Sequence, residues 1–214
     1  MNCDKKSMLL YAVTDRSWLG GETLAEQVEK ALIGGATFVQ LREKSLNRDE
    51  FIREAFEIRE LCAKYKVPFV INDEVEIAKL VDADGVHVGQ SDMAAADVRS
   101  FLGKNKIIGV SASTAEEAVL AEKMGADYIG TGAVFPTNSK CDAGVCGVDK
   151  LKEVCSAVSI PVVAIGGINE ENILQLSDTG VDGVAVISAI FAQPDITSAA
   201  RRLKALSEKM VNYD

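Results

Sequence analysis

Short aliphatic runs recur along the chain, separated by stretches whose apolar residues repeat at helical spacing. The runs are Leu9 to Val13, Phe38-Val39, Phe69-Val70-Ile71, Gly85-Val86, Ile107 to Val110, Tyr128-Ile129, Val162 to Ile165 and Gly183-Val184. Every second one has the same kind of prelude: Gly35-Ala36-Thr37, Asp82-Ala83-Asp84, Gly125-Ala126-Asp127 and Gly180-Val181-Asp182. Such brief aliphatic runs, bounded by Gly and Asp, predict buried strands. Between them, Phe51, Ala55, Ile58 and Cys62 line one face, as do Ile196, Ala199, Leu203, Leu206 and Met210, which predicts amphipathic helices. Asn47 with Glu50 and Thr114 with Glu117 have capping-box spacing, and Gly35 and Gly125 stand where helices end. Strict alternation of strand and helix implies a parallel sheet, because right-handed crossovers return each strand in the same sense. Eight such units with no linker of unusual composition predict an α/β fold, one closed (β/α)8 (TIM) barrel, with residues 1–214 as a single domain. The recurring preludes, two strands apart, suggest quarter units.

Composition narrows the roles. Of 214 residues, 48% are hydrophobic and 26% charged, which supports a globular core and argues against disorder. Aromatics at 6% predict a core of small aliphatic side chains. Lys plus Arg number 23 against 32 for Asp plus Glu, a net charge of -9, which disfavours nucleic acid and anionic membrane surfaces as partners. The longest mostly apolar run, Gly183 to Ala192, falls short of the ~18 residues of a membrane span. Met8 to Val13 reads as a first strand rather than a signal segment, because Asp15 and Arg16 follow at once. Five cysteines without metal or redox spacing, and a single histidine, disfavour zinc and predict reduced thiols in the cytoplasm. Homo-oligomerisation is left open.

In barrels of this kind the chemistry sits at the C-terminal strand ends. Alternation along Phe38-Val39-Gln40-Leu41-Arg42-Glu43-Lys44 places Gln40, Arg42 and Lys44 on one face, toward the mouth, and Val39 and Leu41 toward the helices. Asn72-Asp73 ends the third strand, and Asp92 follows the fourth; two carboxylates without a His or Cys cluster form a hard oxygen site suited to Mg²⁺. Alternatively, Asp92 caps a helix, Asp73 is a helix-start charge, and Asp15 shares the same ambiguity. His87 reads as an interior, hydrogen-bonded histidine. After the sixth strand, Pro136-Thr137-Asn138-Ser139-Lys140 offers hydroxyls and a cation to an anion. Gly166-Gly167 before a helix from about Asn169, and Ile187-Ser188 before another, mark the usual barrel phosphate site. Arg42, Lys44, Lys140 and a cation on Asp73 and Asp92 exceed what one monophosphate needs. A diphosphate on one side and a monophosphate on the other point to a transferase joining two phosphorylated small molecules.

The ordered motifs Tyr11-Ala12-Val13-Thr14-Asp15, Val39 to Lys44, Ile71-Asn72-Asp73, Asp84 to Asp92, Gly109-Val110-Ser111, Phe135 to Lys140, Ala164 to Ile168 and Val186-Ile187-Ser188 resemble the thiamine-phosphate synthase (thiamine-phosphate pyrophosphorylase) family from Leu9 to about Ile190. The resemblance implies a Mg²⁺-assisted, dissociative reaction of hydroxymethylpyrimidine diphosphate with hydroxyethylthiazole phosphate, giving thiamine monophosphate and pyrophosphate. It implies that Gln40, Leu41, Arg42, Glu43, Lys44, Asn72, Ser111 and Lys140 hold the pyrimidine diphosphate, with Arg42, Lys44, Ser111 and Lys140 acting in catalysis. By the same resemblance, Thr137, Asn138, Ser139, Gly167, Ile187 and Ser188 hold the thiazole phosphate, and Asp73 and Asp92 carry the metal. The chain departs from the family at Ser113, where a histidine is common, and at Ser139, where threonine is. A thiazole tautomerase and a non-catalytic thiamine-phosphate-binding barrel are the alternatives. An aldolase is disfavoured because no lysine lies within the central strand stretches, and a metal-dependent epimerase because there is one histidine.

Overall fold

The computed structural model describes residues 3–90, 95–137 and 145–211. Eight parallel strands pair in chain order and close on themselves: β1 (Leu10–Val13), β2 (Phe38–Leu41), β3 (Phe69–Asn72), β4 (Gly85–Val88), β5 (Ile107–Ser111), β6 (Tyr128–Thr131), β7 (Val162–Ile165) and β8 (Gly183–Val186). This is the predicted (β/α)8 barrel. Helices α1 (Leu24–Gly34), α2 (Arg48–Tyr65), α3 (Val75–Leu80), α4 (Ala95–Leu102), α5 (Ala115–Lys123) and α6 (Gly147–Ala157) follow the first six strands. The short α7 (Ser188–Phe191) and long α8 (Ile196–Val211) follow β8.

The recurring preludes have a structural cause. At the base of the barrel, Thr37 Oγ1 accepts the N–H of Leu10 at 2.9 Å, and the carboxylates of Asp84, Asp127 and Asp182 accept the N–H groups of Phe69, Ile108 and Val162 at 2.9, 2.8 and 2.9 Å. The backbone N–H of each prelude residue bonds back to the carbonyl of the same partner residue. A polar side chain before each even strand thus satisfies an otherwise unpaired donor at the start of the preceding odd strand.

Helix termini follow local chemistry. Asn47 and Glu50 form a complete capping box on α2, as do Thr23 and Glu26 on α1. On α5, Thr114 caps Glu117, but the Glu117 carboxylate reaches the N–H of Ser113 instead of closing the box. Gly35 ends α1 in the left-handed region at φ 105°. The helix expected from Asn169 does not form; a 3-10 turn at Ile173–Leu176 takes its place. Asn169 accepts the N–H of Glu171, and Asn172 accepts the N–H of Asn169 while donating to Gly167 O, local bonds that compete with a helix ladder.

Leu41, Val39 and Ile71 join the aliphatic layer between strands and helices. The barrel interior is a separate cluster, and aromatic rather than aliphatic at its centre: Tyr11, Phe38 and Tyr128 pack with ring centroids 4.5–6.0 Å apart. Gly109 makes room for this cluster, since a Cβ there would lie 2.1 Å from Tyr128 Cζ.

Candidate active site

Two adjoining cavities open at the C-terminal strand ends. The larger, of about 200 Å³, is lined on the β5–β8 side by Ser111 to Ser113, Gly130, Gly132, Ala133, Thr137, Ile165 to Ile168 and Ala185 to Ser188. The smaller, of about 30 Å³, is lined by Gln40, Arg42, Asn72, His87, Ser111 and the interior aromatics. Ser111, Gly130, Ile165, Ala185 and Ile187 border both.

On the β2 side, alternation does what the sequence predicts for Gln40 and Arg42, both of which face inward. Arg42 is only 8% exposed, and its guanidinium lies 3.3 Å from the Asp15 carboxylate. Asp15 also accepts from the N–H and hydroxyl of Ser17, so it caps a 3-10 turn and serves as counter-ion to Arg42. One carboxylate at that distance leaves most of the guanidinium's donors for a ligand. Backbone bonding of Arg42 N–H to Thr14 Oγ1 at 3.0 Å fixes the strand end beneath it.

Two members of the same run turn elsewhere. Leu41 is fully buried in the helix-facing layer, as its place in the alternation requires, so its side chain does not line the mouth. The Glu43 carboxylate bonds Arg16 Nε at 2.5 Å and the N–H groups of Lys44 and Ser45 at 2.6 Å, and Arg16 in turn pairs with Glu54 of α2. Burial works against charge on Glu43, but the Ser45 N–H, Arg16 and the Lys44 N–H outweigh it and hold its carboxyl below the usual range. Glu43 thereby ties the loop after β2 to Arg16. Lys44 stands exposed on that loop.

At the end of β3, Asn72 lines the smaller cavity and donates from Nδ2 to Asp73 Oδ2 at 2.6 Å. Asp73 adopts φ 63°, a left-handed conformation that Asp tolerates, and its N–H bonds His87 O at 2.9 Å. Its carboxylate is exposed at the rim. Among the described residues no group of three or more His, Cys, Asp or Glu converges as a metal site.

Ser111, at the end of β5, sits 3.0 Å from His87 Nε2, and its carbonyl accepts from Gln90 Nε2 at 2.5 Å. His87 is an interior histidine with a hydrogen bond at each ring nitrogen, the second to Tyr128 Oη at 2.9 Å. Across the mouth, Gly166 and Gly167 have φ of 99° and 68°, and α7 opens at Ser188 immediately after Ile187. Asp92, Asn138, Ser139 and Lys140 lie outside the described residues.

The geometry thus gathers Gln40, Arg42, Asn72 and Ser111 around one cavity and Thr137, Gly167, Ile187 and Ser188 around its neighbour. Tyr11, Tyr128, Ile165 and the Gly132–Ala133 wall belong to the same site and were not foreseen as such. The signal for the tyrosines was present: each is a hydroxyl-bearing aromatic inside a strand, at an inward position of the alternation.

A (β/α)8 barrel with a buried guanidinium and a glycine-lined cavity side by side at its C-terminal mouth has the make-up of barrels that handle small phosphorylated ligands. The family model described as thiamine monophosphate synthase matches residues 10–190. Thiamine-phosphate synthase of Ruminiclostridium cellulolyticum is 52% identical over 194 residues, covering 91% of this chain and 92% of the relative. That of Clostridium tetani is 50% identical over 194 residues, covering 91% and 93%. A solved structure of thiamine phosphate pyrophosphorylase from Pyrococcus furiosus superposes with a TM-score of 0.90 at 41% identity, covering 97% of this chain and 99% of that one. The chain belongs to the thiamine monophosphate synthase family, and with it to the transferases of thiamine biosynthesis.

Proposed function

We propose that this barrel joins hydroxymethylpyrimidine diphosphate to hydroxyethylthiazole phosphate, releasing pyrophosphate and thiamine monophosphate. The observation that carries the reading is the pairing of the two cavities through Ser111: an inward guanidinium on one side, and a glycine-lined wall with Thr137 and Ser188 on the other. A shared border would bring the reacting methylene carbon and the thiazole nitrogen together without a second site.

The bond that breaks is the one between the pyrimidine methylene carbon and the diphosphate oxygen, and its electron pair leaves with the diphosphate. Negative charge therefore grows on the leaving group. Arg42 and Ser111 line the smaller cavity, where in this reading the charge grows, and pre-placed donors stabilise such charge at little reorganisation cost. Lys44 on the loop after β2, and Lys140, would add countercharge. The methylene cation left behind is captured by the thiazole ring nitrogen, whose lone pair needs no general base to activate it. The mouth offers His87 already engaged at both nitrogens, which suits a reaction without a basic side chain.

Asp73 and Asp92 would hold a Mg²⁺. The donor described at the end of β3 is the exposed Asp73 carboxylate, whose Oδ2 accepts from Asn72 Nδ2, and a carboxylate oxygen fits a hard cation. When bound, that ion supplies further charge neutralisation for a diphosphate. Residues 1–214 act in this reading as one domain on two soluble small molecules. Among the described residues no helix is long and apolar enough to cross a membrane, and Cys3, Cys62, Cys146 and Cys155 are free thiols, in keeping with a cytoplasmic setting.

The test is pyrophosphate release with both substrates and Mg²⁺, followed by identification of thiamine monophosphate. Release that requires both substrates supports the reading. Isomerisation of a thiazole without pyrophosphate, or tight binding of thiamine monophosphate without turnover, would replace it with a tautomerase or a ligand-binding barrel.

A further inference from the structure

Polar groups inside the barrel form one continuous line. Gln40 Nε2 donates to Tyr11 Oη at 2.6 Å; the Tyr11 and Tyr128 hydroxyls are 2.8 Å apart; Tyr128 Oη lies 2.9 Å from His87 Nδ1; and His87 Nε2 lies 3.0 Å from Ser111 Oγ. The line crosses from β2 through β1, β6 and β4 to β5, and its last member borders both cavities. The reaction proposed above uses Ser111 at one end, the resemblance places Gln40 at the other against the pyrimidine diphosphate, and neither gives a task to the three residues between them.

Proton counting orders the line. An amide nitrogen can only donate, so Tyr11 accepts from Gln40 and has one proton left to give. If each phenol passes its one proton onward in the same sense, Tyr11 donates to Tyr128 Oη and Tyr128 to His87 Nδ1. Burial, foremost, pushes both phenols well above their ordinary titration range, so each keeps its single proton. In that order Nδ1 is the bare nitrogen of a neutral ring, and the ring proton on Nε2 is directed at Ser111 Oγ. Ser111 accepts from the ring and retains its own proton for the cavity. In the opposite order Ser111 would spend its proton on His87 and present only lone pairs to an incoming anion.

We infer that the Gln40–Tyr11–Tyr128–His87 line fixes the direction of hydrogen bonding across the barrel so that Ser111 is a donor toward the ligand, which makes Tyr11, Tyr128 and His87 positioning residues. The consequence for turnover rests on the reading that Ser111 meets the diphosphate; the hydrogen-bond direction itself does not. An anion accepts hydrogen bonds, so a serine held in the donor sense is ready for it before it arrives. Gly109 serves the same end, because its missing Cβ is what admits the Tyr128 ring.

His87 is the chain's single histidine, so the protein labelled with ¹⁵N-histidine gives one imidazole signal set. In the ligand-free wild type, at a pH well above the ordinary imidazole value, the line requires a proton on Nε2 and none on Nδ1. A proton on Nδ1, or on both nitrogens, overturns the inference whether or not the protein turns over. The second arm is a double-substitution cycle on kcat/KM for the pyrimidine diphosphate. Tyr128→Phe keeps the ring and breaks the line, and should lower kcat/KM by about 10- to 100-fold, the scale of a lost hydrogen bond to a charged group. In a Ser111→Ala background the same change should have almost no further effect. Additive losses would show that Tyr128 supports the fold and not the serine, and would overturn the inference. An Nε2-protonated ring in a protein that releases no pyrophosphate would instead sink the proposed reaction and leave the line standing.

Discussion

Gly167→Ala tests how the wall of the larger cavity is built. Gly167 has φ 68°, and a Cβ built there lies 2.5 Å from Pro136 O and 2.8 Å from Phe135 O. Both neighbours are backbone, so no side chain can swing aside. Holding alanine in the left-handed region costs about 1–2 kcal/mol, and forcing a methyl group against fixed atoms adds about 1–3 kcal/mol. The sum is about 2–5 kcal/mol, which for a chain of this length lowers Tm by about 4–20 °C. If the segment before Thr137 yields instead, part of that loss reappears as a displaced Thr137, and KM for the thiazole phosphate should rise by about tenfold with KM for the pyrimidine diphosphate little changed. Thermal denaturation and steady-state kinetics with each substrate varied in turn measure both. An alanine variant with wild-type Tm and wild-type KM values would show that the turn after β7 does not pack against residues 135–136 as described.

Arg42→Ala should lower kcat by 10²-fold or more, about 2.7 kcal/mol of lost charge stabilisation, and Asp73→Asn should do the same in pyrophosphate-release assays. A full-rate Asp73→Asn enzyme without added metal would remove the Mg²⁺ from the account. Glu43→Gln should destabilise the fold by about 1–3 kcal/mol near neutral pH, because it strips a buried partner from Arg16. The Glu43 carboxyl is held below its unfolded value, so its contribution is present above the ordinary carboxylate range and is lost as the pH falls through the folded value. Urea unfolding at neutral and acid pH should therefore show wild type and variant converging on acidification. Burial raises Glu54 in the same cluster, so it titrates in the opposite sense, and the comparison must be made between variant and wild type at each pH. Replacing Cys141 and Cys146 together by serine should leave turnover intact; burial pushes the Cys146 thiol up, away from nucleophilic chemistry.

The barrel was legible because its signals are local. Strand runs, helical faces and the polar residue before every second strand are set within about a dozen residues. The same alternation that forms β2 aimed Gln40 and Arg42 inward and Leu41 outward. What could not be read depends on closure. Arg42 meets Asp15 across 27 positions, His87 meets Tyr128 across 41, and Tyr11 meets Tyr128 across 117. No pattern in sequence distinguishes Glu43 as a partner for Arg16 from Glu43 as a ligand for a substrate. The missing helix after β7 has a different cause: Asn169 and Asn172 satisfy backbone groups with their side chains, and apolar spacing alone does not register that competition. Low aromatic content foretold a mostly aliphatic layer under the helices, yet three aromatics, Tyr11, Phe38 and Tyr128, meet in the barrel centre, where large side chains fill the space that strand closure leaves.

A crystal structure with pyrophosphate and thiamine monophosphate bound bears most directly on the claim that one mouth serves two anions. The account predicts pyrophosphate against Arg42, Asn72 and Ser111, and the monophosphate against Thr137, Gly167 and Ser188. Both anions crowded onto one of these sides, or either bound away from the C-terminal strand ends, would contradict it.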